Sequence, residues 1–142
     1  MDTQREAEAI RPTSGASKAA AALRDEHVYL ERVYEVLLNA YCSGDWVVVR
    51  EQWNAFEDAL RRHMAFEEKA VLPAFRAVNA VEVDALLAEH EQLKKELDTL
   101  GVNVELHCVP EADAQALIAR LRAHALREDS ILYPWVEASL RT

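Results

Sequence analysis

The chain has 142 residues, of which 51% are hydrophobic and 29% charged, with three Gly and four Pro, a composition that describes one soluble globular domain. So few turn formers cannot supply the frequent reversals of a β-sandwich or barrel, and the expected fold class is all-α. Sixteen Lys and Arg against 25 Asp and Glu give a formal charge of -9, the wrong sign for neutralising phosphates or an anionic lipid surface, so neither nucleic acid nor membrane is an expected partner.

Residues 1–16, which end in Pro12-Thr13-Ser14-Gly15, are expected to form a flexible N-terminal arm. Met1 to Ser17 carries Asp2, Arg5, Glu6, Glu8 and Arg11 where a signal peptide needs an apolar stretch, and no run approaches the roughly 18 to 20 apolar residues of a membrane span. A cytoplasmic location is expected.

The periodic region is read as one bundle over 17–142. Leu23, His27, Leu30, Tyr34, Leu37 and Tyr41 recur at three and four residues, one face of a first helix that Ser43 and Gly44 close. Asp45 is placed to cap a second helix with Trp53, Phe56, Leu60, His63, Glu67 and Val71 inward, which Pro73 should kink or end soon after. A third helix over about 81–100 has Val83, Leu86, His90, Leu93, Leu97 and Leu100 on its seam, with Gly101 as its stop. Pro110 suits the first turn of a fourth, whose seam reads Leu117, Leu121, His124, Glu128, Ile131 and Trp135, with Pro134 as a break. Four amphipathic helices on short connections bury their stripes only against one another, which predicts an up-down-up-down four-helix bundle.

Four of the five histidines, His27, His63, His90 and His124, fall one per helix on these seams. A single seam histidine is ordinarily a satisfied core residue, but one on every helix needs a shared partner for its ring nitrogens. His63 and His124 are each followed four residues later by a glutamate, Glu67 and Glu128, which places each pair on the same part of its helix face. Buried carboxylates need a cation. Counted from the turns, the six groups lie within about one helical turn of a common level. Four imidazoles and two carboxylates suit a pair of divalent ions with carboxylate bridges and favour iron over Mg²⁺ or Ca²⁺, whereas a mononuclear Zn²⁺ site would leave two groups idle.

The stretches Arg62-His63-Met64-Ala65-Phe66-Glu67-Glu68-Lys69-Ala70-Val71-Leu72-Pro73, Glu89-His90 and His124-Ala125-Leu126-Arg127-Glu128-Asp129-Ser130-Ile131-Leu132-Tyr133-Pro134, with His27 before them, resemble the hemerythrin-like (HHE cation-binding) family. The resemblance covers about residues 20–136. It implies a non-haem di-iron centre with His27, His63, His90 and His124 as terminal ligands and Glu67 and Glu128 as bridges. Two departures stand out. Oxygen carriers of the family have a second histidine one turn after that of helix 3, where this chain has Lys94, so one iron loses a nitrogen. Lys94 is then either a solvated surface lysine or an ammonium beside the cluster with its pKa depressed by the metal charge. The carriers also place the helix 4 bridge five residues after its histidine, which would select Asp129; the seam selects Glu128.

Apolar residues one turn either side of the ligands, Leu30, Leu60, Leu86, Leu93, Leu121 and Ile131, are expected to keep bulk water out while admitting small neutral molecules. The leading expectation is a di-iron protein that binds or senses dioxygen, nitric oxide, peroxide or iron, with any output passed to a protein partner that the sequence does not name. The alternative is a di-iron redox enzyme that removes peroxide or nitric oxide, or an iron donor or storage protein. A third class, a metal-free helical interaction module, requires the ligand pattern to be accidental. Cys42 and Cys108 lack the spacing of a redox motif and are read as reduced thiols, although an up-down-up-down bundle would place both at one end, within reach of a disulfide.

Overall fold

The computed structural model describes the backbone of residues 2–139 and the side chains of residues 18–139; the expected arm over 1–16 lies outside the residues whose side chains are described. Four helical rods make up the fold: α1 (Asp2–Ser43), α2 over residues 46–76, α3 (Ala80–Glu105) and α4 over residues 111–139. No strand occurs among the described residues. Packing runs from α1 to α2, α2 to α3, α3 to α4, and from the last part of α4 back to α1. Joined by short connections, the rods close the ring of an up-down-up-down bundle.

The connections follow from local chemistry. Gly44 adopts φ +76°, and the Asp45 N–H reaches back to the Ala40 carbonyl at 3.2 Å, which ends α1 in a left-handed cap that only Gly makes without strain. Asp45 then caps α2 by accepting from the Val48 N–H at 3.3 Å, and Asn79 caps α3 by accepting from the Glu82 N–H at 3.1 Å. Pro110, extended at ψ 128°, stands just before α4 rather than within its first turn.

Two expected helix ends are overturned. Gly101 does not stop α3, which runs on to Glu105. Packing does not demand a glycine there either, since a Cβ would lie at ordinary contact distance, 3.4 Å from Trp53 Nε1 and 3.7 Å from Glu57 Oε2. Pro134 does not break its rod, and α2 ends at Arg76, soon after Pro73 as expected. In α2 the helix Trp46–Phe66 passes through a π-helical turn, Glu67–Val71, into Leu72–Arg76; in α4 Glu111–Arg127 passes through Glu128–Leu132 into Tyr133–Ser139. A proline leaves the carbonyl one turn back without a donor and presses its ring against it. The wider turn absorbs both effects, with the Leu72 N–H bonding the Glu67 carbonyl and the Tyr133 N–H bonding that of Glu128.

The extra residue in each π turn also resets the inward face. Ile131, expected inside, is 42% exposed, while Leu132 and Tyr133 are fully buried. Trp135 is half-buried, and Val136 takes the inner position. Other seam positions of α2 and α3 are buried as the periodicity requires. The apolar core is split in two. One cluster around Leu30, Phe56, Leu60, Met64, Leu93, Leu97 and Leu117 fills one end, and another around Leu23, Leu72, Phe75, Leu86, Leu132 and Tyr133 fills the other. Each such side chain contributes roughly 1.5–3 kcal/mol by leaving water, and the histidines and glutamates lie among them.

Candidate metal centre

His63, His90 and His124 are 2%, 0% and 2% exposed, His27 is 9% exposed, and Glu67 and Glu128 are wholly buried. All six side chains expected from the sequence are thus brought together between the two halves of the core, and the glutamates divide them into two sides. Glu67 turns Oε2 toward His63 Nε2 at 3.5 Å and Oε1 toward His90 Nε2 at 3.3 Å. Glu128 turns Oε1 toward His27 Nε2 at 3.2 Å and Oε2 toward His124 Nε2 at 3.1 Å. Within each side the imidazoles face each other through Nε2, at 3.0 Å for His27 and His63 and 3.1 Å for His90 and His124. Two groups able to hold a metal ion result, one of Glu67, His90, His124 and Glu128, the other of His27, His63 and Glu128.

The outer nitrogens of the same imidazoles are held by a ring of carboxylates that the sequence reading largely missed. Glu26 on α1 holds His63 Nδ1 of α2. Glu68 on α2 lies 2.9 Å from His90 Nδ1 of α3, Glu89 on α3 lies 2.6 Å from His124 Nδ1 of α4, and Asp129 on α4 lies 3.3 Å from His27 Nδ1 of α1. Each acid is the sequence neighbour of an inward residue on its own helix, and each serves the next helix around the bundle. That regularity was available in the sequence, since Glu26, Glu68, Glu89 and Asp129 flank His27, Glu67, His90 and Glu128. A carboxylate at Nδ1 fixes the ring and its tautomer, leaving the Nε2 lone pair directed inward.

Asp129, the other contender for the bridge, is 39% exposed and stands behind His27; Glu128 is the carboxylate at the centre. Lys94 belongs to neither expected environment. Its Nζ lies 3.2 Å from both Glu68 and Glu91, so it touches His90 only through Glu68. Burial opposes its charge, but the hydrogen bonds to Glu68 and Glu91 prevail and raise its pKa above the ordinary value. Arg127 braces the ring from outside, gripping Glu82 with two nitrogens and reaching Glu89 Oε2 at 2.8 Å.

A second feature absent from the sequence reading is Tyr133. Its hydroxyl donates to Glu67 Oε2 at 2.7 Å and lies within 3.2 Å of Glu128 Oε1, His27 Nε2 and His63 Nε2. Burial, reinforced by the Glu67 and Glu128 charges, pushes its pKa up.

The donor set fits metal ions. Glu67 Oε1 and Glu128 Oε2, both on the His90/His124 side, are buried and make no hydrogen bond of acceptable direction among the described residues, despite the histidines near them. Without ions only protons can balance the two carboxylates. Burial alone would lower the imidazole pKa values, yet the adjacent carboxylates of Glu128 and Glu67 push His63 up to about 11 and His90 up to about 10. His124 is raised for the same reason, chiefly by Glu128. Burial pushes Glu128 toward its neutral form, but the imidazoles of His124, His27, His63 and His90 around it hold it well below the usual carboxylate range. The cavity is built for positive charge, and divalent cations would take the place of the protons.

Residues 18–136 match the family described as the hemerythrin HHE cation binding domain. The chain belongs to that family. No curated protein and no solved structure matches it significantly. The hemerythrin-like match extends from the start of the described α1 side chains to the last buried residue of α4, and so takes in all four histidines and both glutamates of the cluster. No helix among the described residues is long and apolar enough to cross a membrane. Cys42 and Cys108 are exposed thiols, not joined to each other.

Proposed function

We propose that this chain is a hemerythrin-like non-haem di-iron protein that binds or senses dioxygen, nitric oxide, peroxide or iron itself. His27 and His63 would hold one ion and His90 and His124 the other, with Glu67 and Glu128 as bridges. The observation that carries this reading is the placement of the two buried carboxylates, each with one oxygen toward either histidine pair. A bound ferrous pair supplies open coordination positions for a small ligand and electrons for an oxidant. The chain's own residues do the rest. Glu26, Glu68, Glu89 and Asp129 orient the imidazoles, and the buried Leu60, Leu86, Leu93 and Leu132 exclude bulk water from the layer. Metal content and visible spectrum of protein from iron-supplied cells test the reading: two irons per chain support it, and one zinc with no iron overturns it.

A second reading, a redox enzyme that removes peroxide or nitric oxide or an iron donor or storage protein, is favoured by Lys94. Its ammonium is committed to Glu68 and Glu91, so α3 offers one nitrogen ligand, and an ion held there would have more room for an oxidant. Sustained peroxide turnover under excess reductant distinguishes enzyme from binder.

A further inference from the structure

The two sides of the cluster are unequal, and the inequality sits at one residue. Both HxxxE motifs end in the same backbone device, a π turn whose closing residue returns its N–H to the glutamate carbonyl five residues earlier. In the first motif that closing residue is Leu72, which has no donor atom; in the second it is Tyr133. Tyr133 Oη lies 2.7 Å from Glu67 Oε2, 3.1 Å from His27 Nε2, and 3.2 Å from both His63 Nε2 and Glu128 Oε1.

A phenol brings one proton. Here four inward groups surround it, two imidazole nitrogens and two carboxylate oxygens, while the Nδ1 atoms of His27 and His63 are engaged by Asp129 and Glu26. A hydroxyl has one donor and two acceptor sites, so it cannot hydrogen-bond to all four at once. Shared coordination accommodates all four. Nitrogen and oxygen donors bind first-row divalent ions at about 2.0–2.2 Å, so neighbouring donors around one ion are separated by about 2.8–3.6 Å in octahedral or tetrahedral arrangements. Three of the four separations from Oη, 3.1–3.2 Å, match neighbouring donors around a single ion, as do the 3.0 Å between His27 and His63 and the 3.2 Å between His27 and Glu128; the 2.7 Å to Glu67 Oε2 lies just below that range. The Tyr133 ring is held in place by full burial and by the Arg24 guanidinium, 5.8 Å from its centroid.

We infer that Tyr133 is a further ligand, giving its phenol oxygen to the ion on the His27/His63 side while the phenol proton leaves to solvent. That side then has five protein donors, His27, His63, Glu67, Glu128 and Tyr133, against four on the side of His90 and His124. The small exogenous ligand therefore belongs to the His90/His124 ion. This inference rests on the metal-binding reading above, and the test separates the two.

Wild-type protein and Tyr133→Phe are loaded with ferric iron and compared by metal analysis, visible absorption and resonance Raman. The wild type should bind two irons and show a phenolate-to-iron charge-transfer band whose excitation enhances tyrosinate ring vibrations. Both features should vanish in Tyr133→Phe, whether it retains two irons or loses the one on that side. Two bound irons in the wild type without tyrosinate vibrations would overturn the Tyr133 assignment alone. A wild type that binds no iron would overturn the metal reading together with it. Because the vibrations are read in the wild type, the result does not depend on how well the variant folds.

Discussion

Replacing Glu128 by Gln and, separately, Asp129 by Asn distinguishes a bridge from an outer support. Glu128 lies within 3.1–3.7 Å of Nε2 of all four histidines, so neutralising it removes charge from both ion positions at once. Asp129 touches only His27 Nδ1, at 3.3 Å, and is 39% exposed. An outer partner of a metal-bound histidine is worth about 10–100-fold in affinity, or about 1.4–2.8 kcal/mol. Metal at 100 times its dissociation constant stabilises a fold by about 2.7 kcal/mol, so Asp129→Asn should lose about half to all of the stability gained from one ion. At about 2–5 °C per kcal/mol for a domain of this size, that is a fall of about 3–14 °C in the metal-dependent part of Tm. Glu128→Gln should lose the whole metal-dependent gain and leave fewer than one iron per chain after desalting, whereas Asp129→Asn retains iron when it is supplied in excess. The assay is metal analysis with thermal melts in the presence of iron and of chelator. Two irons retained by Glu128→Gln, or both lost from Asp129→Asn, would refute the assignment of the bridge.

The chelated protein should lose stability as pH rises. A raised imidazole pKa favours the fold fully below the unfolded value of 6.5, and that gain disappears through about 10 for His90 and about 11 for His63; denaturant titrations that stay flat or rise between pH 7 and 11 would contradict it. Glu68→Gln, which removes the acid behind His90 and one of the two acids that hold Lys94, should weaken iron binding about 10–100-fold, as measured by competition with a chelator. Gly101→Ala should raise stability by about 0.5–1 kcal/mol through helix propensity, since its Cβ meets Trp53 only at ordinary contact distance, 3.4 Å; a lower Tm would show that the indole cannot give.

The sequence by itself determined the helices, their order and the six inward groups. Period-3.6 patterning with so few Gly and Pro admits only amphipathic helices, and a histidine or glutamate in an apolar stripe is visible as an exception to its own seam. Local spacing also carried the choice of Glu128 over Asp129, because the seam runs through one and not the other. The tertiary structure alone decided what depends on two helices at once. Gly101 reads as a stop, yet α3 runs through it to Glu105. Pro134 reads as a break because the hydrogen-bond pattern that accommodates it, a π turn, has no distinct hydrophobic period. The same extra residue turned Ile131 outward and brought Leu132 and Tyr133 inside. Nor could a seam count pair each outer carboxylate with a histidine on the next helix, since those contacts join residues between 22 and 102 positions apart. Periodicity fixes which face of a helix is buried; only the packed bundle fixes what that face meets.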